Sequence, residues 1–535
     1  MSSDVSSEQG PSTRAKADVH SGRSESTGML LGLALATWME FYTYDGVNLV
    51  LPDMAGTFGV SQDQASWVLT VYLSALLFGV PLSIWMAGRV GYLRYIIGST
   101  IVFAAASVGC AATPDFQGLL LLRAIQGFAG AGLTMWWRAG VYMLMTGPQR
   151  SESLMRISVM LYLATTAALV FCGYVTDNFG WRLIFIPNVL FAAVAIPLLI
   201  RHFPDLPRPA DRWAKGVDGF GIALLGAGLV SIQIVLSRGN IDDWFGSWHI
   251  LLLTGIGLVA LILFVAWQLS ARNSAPILHL KLVRNRNLQA AISLGLFAGM
   301  ILTGSIYALP EFLRNVYPQP LSATQTGQVM CIYALTGAAI RPFVTKSIAR
   351  FGQRKAIAFA FLMLIVSMLL FARLMTTETP VTDYAIPLIL YAFCLAPMLS
   401  ATSSGTVGKM PFSEQLDAVA IYMTVRQLGA ALGVTLVTTV LNWRETLHSS
   451  RLFEHLQGGN TQMQHWLDAV AQAVIQHGSY SSIQAHQMAL RLFSDAADRQ
   501  AATLAYADAF LFMAGVGVIA LFLVLLIARP AVGKR

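Results

Sequence analysis

Fourteen long apolar stretches run through this chain, and no other feature constrains its fold so tightly. They lie near 29–52, 64–87, 95–113, 117–142, 155–176, 182–201, 217–237, 247–270, 288–309, 323–345, 355–373, 383–405, 417–441 and 503–528. A bilayer core is about 30 Å thick, so a spanning helix needs about 20 apolar residues. Hydrophobic residues make up 56% of the 535 and charged residues only 12%, too few polar groups to clothe a soluble fold of this size. Alternating segments of about ten residues, the mark of a membrane barrel, are absent. The pattern predicts an all-α membrane protein with 14 transmembrane helices.

Charge in the loops predicts its orientation. Of 35 Lys and Arg, 23 fall on one side of the expected spans, eight on the other and four within them. The positive-inside rule then places both termini in the cytoplasm of a cell whose plasma (inner) membrane holds the chain. The other face receives Asp53, Asp63 and Asp115 in its first two loops, with no Lys or Arg there. The net charge of +8 is spread over many loops and forms no single patch, so a nucleic-acid partner is not expected.

Residues 1–28 are rich in Ser, Gly and charge and read as a disordered cytoplasmic tail. They do not read as a cleavable signal, because the first apolar run is a full span. The four cysteines, Cys110, Cys172, Cys331 and Cys394, all sit within spans. Their spacing suits packing better than a metal cluster or a disulfide framework. No phosphate-binding G-x-x-x-x-G-K-[ST] run and no catalytic constellation is present, so neither ATP use nor an enzyme is expected, and no cofactor beyond a proton gradient.

A repeat divides the chain. Arg89-Val-Gly91-Tyr-Leu-Arg94 follows the second span, and Arg350-Phe-Gly352-Gln-Arg354-Lys355 follows the tenth. The offset of eight spans suits two six-helix halves, 29–202 and 288–529, with two helices inserted in 203–287. A loop at 442–502 faces outward and a tail at 530–535 faces inward. Transporters are commonly built from such repeats, with a substrate site between them near the midplane. The two basic turns are then candidates for a conformational latch, carried by Arg89, Gly91, Arg94, Arg350, Gly352 and Arg354.

Ionisable groups inside spans are the strongest site candidates. A carboxylate there costs about 2.5–3.5 kcal/mol on insertion scales, so it faces a cavity or a partner. Glu40 and Asp45 lie in the first span, about 140° apart around a helix, and are not expected to share one wall. Burial favours the protonated carboxyl and a nearby Arg the ionised one, so a group alternating between those surroundings can carry a proton. Arg123, Arg138, Arg341 and Arg426 also lie within spans. Arg138, in Trp136-Trp137-Arg138, fits two roles: an outer interfacial anchor, or a cavity group holding an anion or an aromatic ring. Arg426 fits snorkelling, whereas Arg341 is deeper. Four intramembrane Arg against two carboxyls favour an anionic or weakly acidic substrate. Trp38, Tyr42, Tyr72, Trp136 and Tyr162 are candidate walls of a cavity for amphipathic aromatics.

Several segments then resemble a known family. Asn48-Leu-Val-Leu-Pro52 ends the first span, and Arg123-Ala-Ile-Gln126-Gly127-Phe-Ala-Gly130-Ala-Gly132 fills the fourth. Asp177-Asn178-Phe-Gly-Trp181-Arg182 with Asn188 follows the fifth. Arg426-Gln-Leu-Gly429 lies in the thirteenth, and Gln500 to Phe510 leads into the last. The chain resembles the major facilitator superfamily, and within it the fourteen-helix EmrB/QacA-type drug:proton antiporters, from about residue 29 to 529. The resemblance implies the major facilitator fold and proton-driven, alternating-access efflux of small amphipathic substrates. It places Arg123 near the proton site with Asp45 or Glu40, and Asn48 and Gln126 beside the substrate cavity. In Gram-negative members it also implies a periplasmic membrane-fusion adaptor and an outer-membrane channel. The chain departs from the pattern at Thr43, where members carry an acid, and at Ala168 to Gly173, where only the last Gly of the antiporter signature stands. Two other readings therefore stay open: a carrier for one metabolite, siderophore or organic anion with different or no proton coupling, and a membrane sensor or scaffold.

Overall fold

The computed structural model describes residues 11–145, 147–204, 216–394, 412–456, 461–477 and 481–526. Among them there are helices and no strand, as a chain that must satisfy its backbone polar groups inside a bilayer requires. The first half comprises α1 (Pro11–Phe58), α2 (Trp67–Val90), α3 (Tyr92–Ala112), α4 (Phe116–Leu144), α5 (Gly147–Ala167) and α6 (Pro187–His202). Two helices follow, α7 (Gly219–Arg238) and α8 (Trp248–Leu269). The second half comprises α9 (Arg286–Glu311), α10 (Ala323–Phe351), α11 (Gln353–Leu374) and a shorter apolar helix, α12 (Val381–Cys394). It ends with α13 (Phe412–Leu456), α14 (Thr461–His477) and α15 (Ser482–Leu526).

Eleven helical segments among the described residues are long and apolar enough to cross a membrane, against the fourteen expected. The difference has a physical source in each of the three remaining stretches. In α1, Glu40 and Asp45 dilute the apolar run. In α10, Gln, Thr, Lys and Arg side chains do the same. The twelfth expected span continues from α12 into residues outside those described.

Side-chain caps set several helix starts. Asp115 accepts from the Gly118 N–H at 2.7 Å at the head of α4, and Ser322 forms a capping box with Gln325 at the head of α10. The two basic turns share one backbone conformation: φ 105°, ψ 140° at Gly91 and φ 85°, ψ 157° at Gly352. That region is all but restricted to glycine, so the repeat read from sequence has the same geometry in both halves.

Packing in the second half relies on close backbone approach. α9 carries Gly295-x-x-x-Gly299 and α13 carries Gly429-x-x-x-Gly433, the small-residue spacing that lets membrane helices touch. A methyl on Gly299 would lie 2.1 Å from the Arg426 carbonyl oxygen, and one on Gly433 would lie 1.9 Å from that of Met300. α7 bridges the halves. Its Arg238 donates to the Asp63 carbonyl at 2.5 Å and to Ser66 Oγ at 3.0 Å, while Thr435 of α13 donates to the Leu236 carbonyl at 2.6 Å. α8 leaves most of its apolar surface exposed, Ile262 at 66%, as a lipid-facing helix does.

Two segments differ in form from the sequence reading. α1 already begins at Pro11, so helix extends into the segment expected to be a disordered tail; proline suits a first helical turn, where its missing N–H costs nothing. The loop expected at 442–502 is mostly helical: α13 runs on to Leu456, and α14 and the start of α15 fill much of the rest. The amphipathic stretches at 463–476 and 482–493 lie on those two helices, which pair through Leu467, Ala471, Ala485 and Ala489. Asp508 of α15 accepts from Arg444 Nε at 2.5 Å and His448 Nε2 at 2.7 Å, tying α13 to α15.

Candidate functional site

A cavity of about 190 Å³ lies between the halves. Its walls come from α1, α2, α4 and α5 on one side and from α9, α10, α12 and α13 on the other. Glu40 and Asp45 both line it, with Phe41 and Tyr44 between them. The expectation that they face different walls is thereby corrected: one cavity takes in about 140° of the surface of α1. Arg138 and Arg426 bring positive charge to the same space, and Trp137, Tyr162, Tyr333 and Tyr391 supply aromatic surface.

Arg138 is 4% exposed. Its guanidinium lies 4.0 Å from the Trp137 ring centroid and 3.9 Å from the Met423 sulfur, across the interface between the halves. Among the described residues no carboxylate neutralises it within ion-pair distance. An outer interfacial anchor would face headgroups, and this side chain faces the cavity instead. Arg426 also lines the cavity, with its Nε buried and without a hydrogen-bond partner, so it does not snorkel. Its backbone is held in place by the Gly299 contact, which keeps the side chain at depth.

Arg123 is fully buried outside the cavity, in a network behind it. Its guanidinium lies 4.0 Å from the Tyr72 ring centroid and donates to Gln126 Oε1 at 2.5 Å and to the Val68 carbonyl at 3.4 Å. Gln126 donates to Ser107 Oγ at 2.7 Å. Asn188 donates to Ser107 Oγ at 3.0 Å and to Thr43 Oγ1 at 2.8 Å. Thr43 therefore occupies the place of an acid with a neutral hydroxyl that has a neutral partner. The negative charge sits three and two residues away, in the cavity.

The other sequence candidates separate accordingly. Tyr162 lines the cavity. Arg341 is second to it, donating at 3.1 Å to Ser158, which lines it. Trp38 packs on Phe191 at 5.7 Å, Tyr42 is buried beside Phe191 and Phe171, and Trp136 packs on Tyr92 at 5.0 Å. Gln126 belongs to the Arg123 network, and Asn48 is not on the wall. Trp136 and Trp137 are neighbours about 100° apart, and the rotation of α4 turns the second one inward. Trp137, Tyr44, Thr134, Tyr333, Tyr391 and Gln427 are wall residues that sequence reasoning did not select. Only for Trp137 was there a signal, its place beside Arg138. Of the two basic turns, Arg89 stacks on Trp85 at 5.1 Å and Arg350 on Phe351 at 5.5 Å, while Arg94 is exposed and Arg354 partly so. Among the described residues no group of three His, Cys, Asp or Glu could hold a metal ion.

Two helical halves around a central cavity define a membrane carrier architecture. The comparisons agree: the chain matches the Major Facilitator Superfamily over residues 33–434, and it belongs to that family. It is 28% identical to the multidrug export protein EmrB of Escherichia coli (strain K12) over 439 residues, 82% of this chain and 84% of that one. It is 26% identical to the fatty acid resistance protein FarB of Neisseria gonorrhoeae, over 80% of this chain and 83% of that one. Its fold is similar to that of the human organic anion transporter MFSD10, with a TM-score of 0.59 at 15% identity, covering 93% of this chain and 99% of that one.

Proposed function

We propose that the protein is a secondary active exporter of small amphipathic molecules, driven by the proton gradient and working by alternating access in the inner membrane, with both termini cytoplasmic. One observation carries this reading: the cavity between the halves holds two carboxylates, two guanidiniums and an aromatic wall. The aromatic surface takes an apolar body, the guanidiniums orient a polar end, and a carboxylate that changes protonation with water access supplies the coupling. The similarity to EmrB and FarB supports efflux as the direction of transport. In a Gram-negative host the helical extension around α14 would meet a membrane-fusion adaptor leading to an outer-membrane channel.

Arg138, a buried cation with no carboxylate partner among the described residues, favours substrates that carry negative charge, which is also the organic-anion carrier reading. The test is purified protein in proteoliposomes with an imposed pH gradient, given ethidium as a cationic probe and 1-pyrenebutyrate as an anionic one. Gradient-dependent accumulation of either supports the exporter. Accumulation of pyrenebutyrate that follows its own gradient and ignores ΔpH supports the uncoupled anion carrier. Movement of neither sinks both.

A further inference from the structure

α7 and α8 form a hairpin, and α7 is the member that packs on the bundle. It lies against α2 of the first half and α13 of the second, which also touch each other. α7 therefore crosses the seam between the halves, and its two attachments differ in kind. Toward the first half, Leu225 and Leu229 are buried in the same apolar core as Leu76 and Val80 of α2. A methyl on Gly226 would lie 3.1 Å from the Phe78 ring. In the last turn Arg238, 7% exposed, donates to the Asp63 carbonyl and to Ser66 Oγ and lies 5.1 Å from the Trp67 ring centroid. Asp242 pairs with the same guanidinium at 2.9 Å, so the charge is balanced within this grip. The grip runs from Gly226 to Arg238, about 18 Å of helix.

Toward the second half, among the described residues, two neutral hydrogen bonds at one end hold α7. Thr435 Oγ1 donates to the Leu236 carbonyl at 2.6 Å, and Asn240 Nδ2 donates to the Thr438 carbonyl at 3.2 Å. Both donors have an alternative. The Thr435 hydroxyl also lies 2.8 Å from the Ala431 carbonyl of its own helix, where it can settle without losing a bond. Asn240 is partly exposed and can exchange its acceptor for water. Bonds from an ionised group such as Arg238 are roughly twice as strong as neutral ones. At the other end of α7 the polar ties stay within the hairpin and the connection after it: Asp218 accepts from Gly221, Trp267, Gln268 and Asn273.

We propose that α7 is a strap across the seam between α2 and α13, carried by the first half and held to α13 by a releasable catch, Thr435 on Leu236 and Asn240 on Thr438. This rests on the alternating-access reading above and adds a moving part to it. When the halves rock apart at the end opposite the basic turns, α2 and α13 separate there, and α7 cannot keep both attachments. The weaker one gives way. The catch opens, Thr435 falls back on Ala431, and α7 stays on α2 through Arg238 and its apolar face. The strength of the catch then sets how often that end opens.

Two measurements test this in the full chain, in a background without the native cysteines. In the first, Thr303→Cys on the cavity wall is labelled with an impermeant maleimide applied from the face that bears the catch. Thr435→Val keeps the volume and removes the donor, and is expected to raise the labelling rate about five-fold. Thr435→Ser is expected to restore the original rate. In the second, cysteine pairs are joined by a flexible bis-methanethiosulfonate and freed with dithiothreitol. Asn240→Cys with Thr438→Cys ties α7 to α13, and is expected to abolish accumulation of ethidium and 1-pyrenebutyrate in proteoliposomes until the link is reduced. Gly226→Cys with Phe78→Cys ties α7 to α2, and is expected to leave accumulation intact. Accumulation that survives the first link, or stops with the second, overturns the proposal, as does an unmoved labelling rate in Thr435→Val. Where a cysteine pair is inactive even when reduced, the labelling result decides. A protein that accumulates neither probe before any link is made refutes the exporter reading, and the labelling rate still judges the strap.

Discussion

Arg314, just past the end of α9, reaches across to Asp53 in α1, with Nη2 3.2 Å from Oδ2. Its other nitrogen donates to the Leu49 carbonyl of the same helix. Nearby, Asp177 accepts from the backbone N–H and hydroxyl of Thr324, at 2.9 and 2.5 Å. Both links join the first half to the second at the end opposite the basic turns. The ion pair is partly exposed, which limits it to about 1 kcal/mol or less. Arg314→Ala should therefore raise cavity accessibility from that face by a few-fold and not lock it open. Cysteine labelling at Thr303, on the cavity wall, measures this; no change would show that the pair does not hold the gate.

Gly91 and Gly352 both adopt positive φ, and nothing crowds Gly352, so the constraint there is conformational and not steric. Gly91→Leu should cost about 1–3 kcal/mol in that turn. If the turn is a latch, transport slows while probe binding, followed by Trp fluorescence, holds. Parallel loss of binding and turnover would indicate misfolding.

Gly433→Val introduces side-chain volume where even a Cβ would lie 1.9 Å from a backbone oxygen. α9 and α13 must then separate, at about 1–3 kcal/mol. A clear fall in the detergent melting temperature is expected. Val at Gly515, where nothing lies within 4 Å, should leave it nearly unchanged.

Orientation is open to a direct check. Gln487→Cys, on the exposed start of α15, should react with a membrane-impermeant maleimide on intact cells. Arg272→Cys, in the connection between α8 and α9, should react only after permeabilisation. Labelling of both from outside would overturn the topology drawn from loop charge.

The sequence by itself determined the helical membrane class, the repeat marked by Gly91 and Gly352, and the residue types at the site. Hydropathy, loop charge and a glycine's conformational demand are properties of short segments, so they survive without tertiary information. It also picked out Glu40, Asp45, Arg138, Arg426 and Tyr162, because an ionisable or polar aromatic group in a span stands out wherever the span packs. Only the tertiary structure decided that Glu40 and Asp45 share one cavity, that Trp137 and not Trp136 faces it, and that Tyr42, Asn48 and Gln126 do not. Tyr72, Thr134, Tyr333 and Tyr391 acquire their places the same way. Which face of a helix looks inward depends on its rotation within the bundle, and close contacts such as Gly127 on Tyr72 and Gly299 on Arg426 fix that rotation between segments far apart in the chain.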